Sequence, residues 1–353
     1  MGLGSRSRFC GRHTVSHSHH HHHGSSDSQP PDQEQLLKKE GEFWDLQEDK
    51  IDSLYQRPHD WRFVPKLADI IIKPRVKTLL RLLDAHKDIK SLVDIGCGNG
   101  WLCHATAKRG IKSIGIDLSE KKIATAKRMA KEQGVDHLCE FVAGDVMKWQ
   151  PKEPVDLLTS HGSLHHFPGF DNAMKHIVAN HMRRDGYMMF IEPNHEGMSP
   201  EVRQYFLKKA KSKFWSKRFD FPFYFEVTGQ TSLTEPPKES PAGTVDIRDE
   251  SPAGKEFFGE HIDLDKYFHD HYDVIEKEFY HYFSSHGTNM FYVFMKSKLI
   301  RMAWRLLLPM MVRRDTKLLK NPKYSQWAED GLWFMQQKEV RTVPGQKNTS
   351  SPS

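Results

Sequence analysis

Cysteine is scarce in this 353-residue chain, and Cys10, Cys97, Cys103 and Cys139 show no spacing that suits a metal centre. No metal site is therefore expected, and the compartment implied is a reducing one, the cytoplasm in the first instance. There is no run of 18 or more apolar residues, which excludes an ordinary membrane-spanning helix. A Gly-Lys-Ser/Thr phosphate loop is missing too, so nucleoside triphosphates drop out as ligands. Nor is one charge sign dominant: the net charge of +6 comes from interspersed acids and bases, a balance that does not point to nucleic acid.

What is present concentrates between Ser91 and Val146. Leu92 to Ile95 form a short apolar run with the single charge of Asp94, the pattern of a buried parallel strand. Gly96, Gly98 and Gly100 follow, and Trp101 to Lys108 reads as a helix opening. Glycines at such a turn let a ligand approach the backbone with no Cβ in the way. A second strand, Ser113 to Ile116, ends on Asp117, about 20 residues past the first glycine, where a ribose-binding carboxylate is expected. Trp101 stands where a dinucleotide fingerprint needs its third glycine, so a nicotinamide cofactor is disfavoured. The ligand implied is a nucleoside without a pyrophosphate. Taken singly, Asp117 and Asp145 would equally suit helix N-caps.

The run Val93 to Gly100 resembles the first motif of the class I S-adenosylmethionine-dependent methyltransferases, and the likeness continues in order along the chain. Asp117 matches the ribose carboxylate of that family, and Asp145, in Phe141 to Val146, matches the acid that faces the adenine amino group. Val155 to Phe167 is similar to the fourth strand with its His-containing loop, and Gly186 to Pro193 to the fifth strand. The resemblance implies an α/β fold: a Rossmann-like, mostly parallel seven-stranded sheet with helices on both faces and a terminal antiparallel hairpin. It also implies S-adenosylmethionine as cofactor, held by Asp94, Gly96, Cys97, Gly98, Asn99, Asp117, Leu118, Asp145, Val146 and His161.

Methyl transfer is a direct displacement whose main demand is an aligned nucleophile, with a nearby base helping a hydroxyl, thiol or amine acceptor. His161 and His165, at the mouth expected after the fourth strand, are the candidates for that catalytic role. His166 lies beside them; a loop that merely supports the cofactor is the plainer reading of all three. Glu192, Asn194 and His195, after the fifth strand, are placed to meet an acceptor.

Residues 1–33, with six histidines between His17 and His23, read as a disordered leader; Arg6, Arg8 and Arg12 precede its first acid, which leaves an organellar transit peptide as the alternative location. Residues 34–88 read as N-terminal helices, in which Phe43, Trp44, Leu54 and Tyr55 are packing residues or a cover for the cofactor. Residues 89–193 and 260–297 form the core, and 194–259, rich in aromatics and proline, is too long for a bare loop and reads as an inserted cap over the acceptor pocket. Tyr272 to Phe283 and Asn289 to Lys296 are expected to pair as the hairpin. Residues 298–340 read as a basic amphipathic helical extension, and 341–353 as a disordered tail. Within that extension 298–314 could lie in a membrane interface or pack on protein.

The function expected is transfer of a methyl group from S-adenosylmethionine to a small organic acceptor, at oxygen or nitrogen. Left open are a lipid or quinone acceptor, for which peripheral membrane contact would suit, and a non-catalytic cofactor-binding scaffold. Nucleic acid ranks lower because no Asn/Asp-Pro-Pro-Tyr/Phe motif occurs; Glu192-Pro193-Asn194-His195 departs from it. The acceptor, the atom methylated and the oligomeric state are not legible.

Overall fold

The computed structural model describes residues 33–194, 198–232, 251–253 and 262–338. The leader and tail, His195, and much of the cap therefore lie outside the described residues. Seven strands form one sheet in the order β3-β2-β1-β4-β5-β7-β6. They are β1 Ser91–Ile95, β2 Lys112–Asp117, β3 Cys139–Ala143, β4 Val155–His161, β5 Met182–Pro193, β6 Tyr272–Tyr280 and β7 Asp330–Gln337. The first five are parallel, and β7 runs antiparallel to both β5 and β6.

Side-chain alternation explains how this sheet is covered twice. Leu92, Leu157, Met189, Ile191, Leu332 and Phe334 face one core, while Val93, Ile95, Leu158, Met188, Phe190 and Trp333 face another. The first core is closed by α2 Pro65–Ala85, α3 Trp101–Ala107 and α4 Glu120–Glu132; the second by α5 Phe170–His181 and α9 Leu264–His271. Ahead of them α1 Gln33–Gln56 lies against α4. Gly41 makes that approach close, since a Cβ there would stand 3.2 Å from the Leu118 carbonyl oxygen.

A third apolar cluster stands beside the sheet. Helices α6 Pro200–Lys211, α7 Lys213–Ser216 and α8 Phe221–Thr228 contribute Phe206, Trp215 and Val227. They meet the start of α2, the short α10 Ser284–Thr288 with the π turn Asn289–Val293, and α11 Lys298–Leu318. The short α12 Pro322–Ser325 then leads into β7.

Two expectations about the C-terminal half are corrected here. Asn289 to Lys296 is not a strand: Met290, Phe291, Val293, Phe294 and Met295 are all buried, and a continuous apolar run does not distinguish a strand from a buried helix. Asn289 is also held by its side chain, whose Oδ1 accepts the Trp61 N–H at 2.7 Å while Nδ2 donates to Asp60. The partner of β6 is instead Asp330–Gln337, so the antiparallel pair closes around α10 to α12 rather than a tight turn. Residues 298–338 are thus not an extension but part of the sheet's own crossover and its β7 strand. Helix α11 runs unbroken through Pro309.

Candidate active site

The glycine turn is built on positive φ. Gly96, Gly98 and Gly100 have φ of 63°, 51° and 73°, a region that L side chains rarely adopt. A Cβ on Gly96 would stand 2.3 Å from Ser163, and one on Gly100 2.6 Å from the Phe141 ring, whereas Gly98 has nothing within 4 Å. The turn is tied to the second strand: Gly96 N–H donates to Ile116 O at 2.8 Å, and Gly98 N–H to Asp117 Oδ2 at 2.8 Å. Asp117 Oδ1 accepts from Ser119 N–H at 2.9 Å, so this carboxylate organises both the turn and the entry to α4.

A cavity of about 320 Å³ opens at these strand ends. The ten residues the sequence assigned to the cofactor all line it: Asp94, Gly96, Cys97, Gly98 and Asn99 from the first turn, Asp117 and Leu118 from the second, Asp145 and Val146 from the third, and His161 from the fourth. Trp101 forms part of the wall and sets its ring edge-on to His161, centroids 5.4 Å apart. Two features fit a nucleoside-sized ligand: Asn99 Oδ1 is buried without a hydrogen-bond partner among the described residues, and the open space above Gly98 is what a Cβ would fill.

Helix α1 roofs the cavity through Leu37, Glu40 and Trp44. Glu40 is 1% exposed; it accepts from Trp44 Nε1 at 2.7 Å and from the Ala253 N–H at 2.9 Å, and lies 3.0 Å from His166 Nδ1. Burial pushes its carboxyl up, but the His166 contact and these hydrogen bonds outweigh it and hold the pKa below the usual value. Lys122 Nζ sits 4.0 Å over the Trp44 ring. Of the α1 residues read for packing or cover, Trp44 lines this cavity. Asp94 is the opposite case to Glu40: burial, and repulsion from Asp117, raise it to about 7 despite a 2.9 Å hydrogen bond from Thr159. Four carboxylates, Glu40, Asp94, Asp117 and Asp145, line one cavity, an arrangement that suits a cationic ligand.

A second cavity, about 350 Å³, shares His161 and Gly162 with the first and is walled by Trp61, Ala68, Ile72 and Arg75. Asp330, at the start of β7, also lines it; its Oδ2 lies 2.7 Å from Arg75 Nη1 and 2.9 Å from His281 Nδ1. His281 has a φ of 63°, a strained value for a residue with a side chain, and packs edge-on against Trp61. His161, half-buried between the cavities, sits in this electrostatic setting: desolvation, and then the Arg75 charge, push its pKa down to about 3.

Three expected site residues are placed otherwise. His165 lines neither cavity; it is fully buried and its Nδ1 lies 2.8 Å from Glu192 Oε2. Glu192 does not meet an acceptor, because its other oxygen accepts from Ser160 Oγ and from the Ser163 and Leu164 N–H groups at 2.9 to 3.1 Å, which clamps the loop after β4. Asn194 donates to the Ser325 and Ala328 carbonyls, both at 3.1 Å, and so anchors β5 to the lead into β7. Sequence reading missed Glu40, Arg75, His281 and Asp330. A buried charge on an otherwise apolar helix face was the available signal for Arg75; nothing local marks His281.

Residues 86–231 match a family profile described as a methyltransferase domain. A ubiquinone biosynthesis O-methyltransferase of Methylococcus capsulatus is 31% identical over 91 residues, 25% of this chain and 38% of that protein. A trans-aconitate 2-methyltransferase of Escherichia coli O139:H28 is 30% identical over 109 residues, 30% of this chain and 40% of that protein. The chain thus spans about two-fifths of the length of these curated relatives. Among solved structures, a SAM-dependent methyltransferase from Geobacter sulfurreducens in complex with S-adenosyl-L-homocysteine is 17% identical, over 73% of this chain and 90% of that one, with a TM-score of 0.38. The profile match lies on the strands and turns that build the first cavity, so it is this part of the chain that is similar to a methyltransferase domain.

Proposed function

We propose that the protein transfers a methyl group from S-adenosylmethionine to a small organic acceptor, at oxygen or nitrogen, with the cofactor in the first cavity and the acceptor in the second. The observation that carries this reading is that the two cavities meet at His161 and Gly162. When bound, the cofactor supplies an electrophilic methyl group on a sulfonium. Asp117 and Asp145 would hold its ribose and base, and the buried carboxylates Glu40 and Asp94 would answer its positive charge.

The chain's own contribution on the acceptor side is orientation. An imidazole whose pKa is near 3 is neutral at physiological pH and offers a lone pair, yet it is too weak a base to keep a proton well. His161 therefore acts by accepting a hydrogen bond that aims the nucleophile, a positioning effect worth on the order of several kcal/mol when geometry is right. Trp61, Ala68 and Ile72 give that contact an apolar wall on one side.

Methyl-labelled cofactor incubated with the protein and a cell extract, followed by mass spectrometry, tests the reading. A labelled small molecule together with S-adenosyl-L-homocysteine is expected. Tight cofactor binding with no labelled product would favour a binding scaffold instead. A membrane-borne lipid or quinone acceptor is the second reading, favoured by the apolar outer face of α11.

A further inference from the structure

Helix α11 has two apolar faces, and among the described residues only one is covered. Trp304, Leu308 and Val312, spaced by four, are buried in the third cluster. On the opposite side Leu299, Met302, Leu306 and Met310 continue a second row at spacings of three and four, 70%, 56%, 76% and 53% exposed. A helix of a soluble protein normally turns a polar face outward, so this row calls for an occupant.

Charge identifies the chemistry of that occupant. The helix holds six cations, Lys298, Arg301, Arg305, Arg313, Arg314 and Lys317, against one acid, Asp315, which is buried and turned inward to accept from the Phe283 and Ser284 N–H groups. Among the described residues none of those six cations is in an ion pair. The nearby α6 and α7 add exposed Tyr205 and Phe214 beside Lys208, Lys211 and Lys213, and their rings join the same aromatic cluster through Phe283, Trp215 and Phe291. Apolar side chains flanked by long cations, with aromatics at the margin, match an interface that is apolar inside and anionic at its rim.

We propose that α11 docks the protein on an anionic phospholipid surface, Leu299, Met302, Leu306 and Met310 entering the headgroup boundary and the flanking Arg and Lys side chains meeting lipid phosphates. No described helix is long and apolar enough to cross a membrane, and this helix lies on one. The proposal stands apart from the methyltransferase reading, since it uses no residue of either cavity.

Co-sedimentation of the full chain with phosphatidylcholine vesicles, with and without roughly 30% phosphatidylserine, tests it. Binding to the anionic vesicles is expected to exceed binding to the neutral ones about tenfold, and to weaken as salt rises from about 0.1 M to about 0.5 M. Leu306→Glu with Met310→Glu should cut vesicle binding about tenfold or more. Both positions are exposed, so the thermal transition and cofactor affinity should not move; Leu299→Gln repeats the test with a milder change. Absence of vesicle binding at low salt, or binding that the double variant leaves intact, overturns the proposal. So does a concentration-dependent dimer that the double variant dissolves, since the occupant would then be a second copy of the chain.

Discussion

Glu192 Oε2 lies 2.8 Å from His165 Nδ1, with both side chains sealed from solvent. Burial raises the Glu192 carboxyl, but the His165 contact and two backbone N–H donors outweigh it and hold the pKa below 4.5. A carboxyl with a depressed native pKa contributes stability above its unfolded pKa and loses it as pH falls through the native value. Glu192→Gln should destabilise the fold by about 3 to 5 kcal/mol, because it leaves a buried polar network with one partner removed. It should also reduce the acid sensitivity of unfolding, read by denaturant titration at neutral pH and near pH 4; unchanged stability would show that the loop after β4 does not depend on this clamp.

Asp94 predicts a pH dependence of the opposite sign. Its native pKa is raised to about 7, so the stability associated with its neutral form is present below 3.8 and is lost as pH rises through about 7. A cationic cofactor favours the carboxylate, so binding should release a proton near neutrality. Affinity should then rise by up to about tenfold per pH unit on the acid side of 7. Calorimetry in two buffers of different ionisation enthalpy checks it, and Asp94→Asn should abolish the proton release. Asp117→Ala should weaken the same binding by about 1.5 to 3 kcal/mol for each charge-assisted hydrogen bond removed.

Two neighbouring glycines should fail in different ways. Gly96→Ala places a Cβ 2.3 Å from Ser163 at a φ of 63°, which should destabilise the fold by about 2 to 5 kcal/mol. Gly98→Ala meets nothing within 4 Å, so its cost is the left-handed backbone alone, about 1 to 2 kcal/mol, while the added methyl intrudes on the first cavity. Melting curves set beside cofactor affinities would separate the two; equal loss of binding per unit of lost stability would sink the distinction.

For His161, replacement by Ala should lower kcat about a hundredfold through misorientation of the acceptor, and Gln should recover part of it by restoring a hydrogen-bond acceptor. Because its pKa is pushed down to about 3, this ring should add no limb to the rate profile between roughly pH 5 and pH 8. A fall in kcat centred near the ordinary histidine value of 6.5 that vanishes in His161→Gln would mean that the ring titrates during turnover.

The lining of the first cavity was legible because its signals are local. Leu92 to Ile95 followed by Gly96, Gly98 and Gly100, and a second strand ending on Asp117, write strand, turn and ligand contact within one βαβ unit, and the pairing of β1 with β2 brings Asp117 to the turn without help from distant chain. The acceptor side was not legible. Glu192, Asn194 and the histidines carry polar groups that must be satisfied once buried, but polarity names the need and not the partner.

Order and spacing along the chain were enough to specify a sheet of parallel strands, the turns that line the first cavity and the likeness to a methyltransferase domain. Packing alone selected the rest: Arg75 meets Asp330 across 255 positions, Glu40 reaches His166, and Asp330–Gln337 rather than Asn289–Lys296 completes the sheet. The physical reason is that backbone conformation follows near-neighbour chemistry, whereas the company a buried charge keeps depends on which surfaces the collapsed chain presses together.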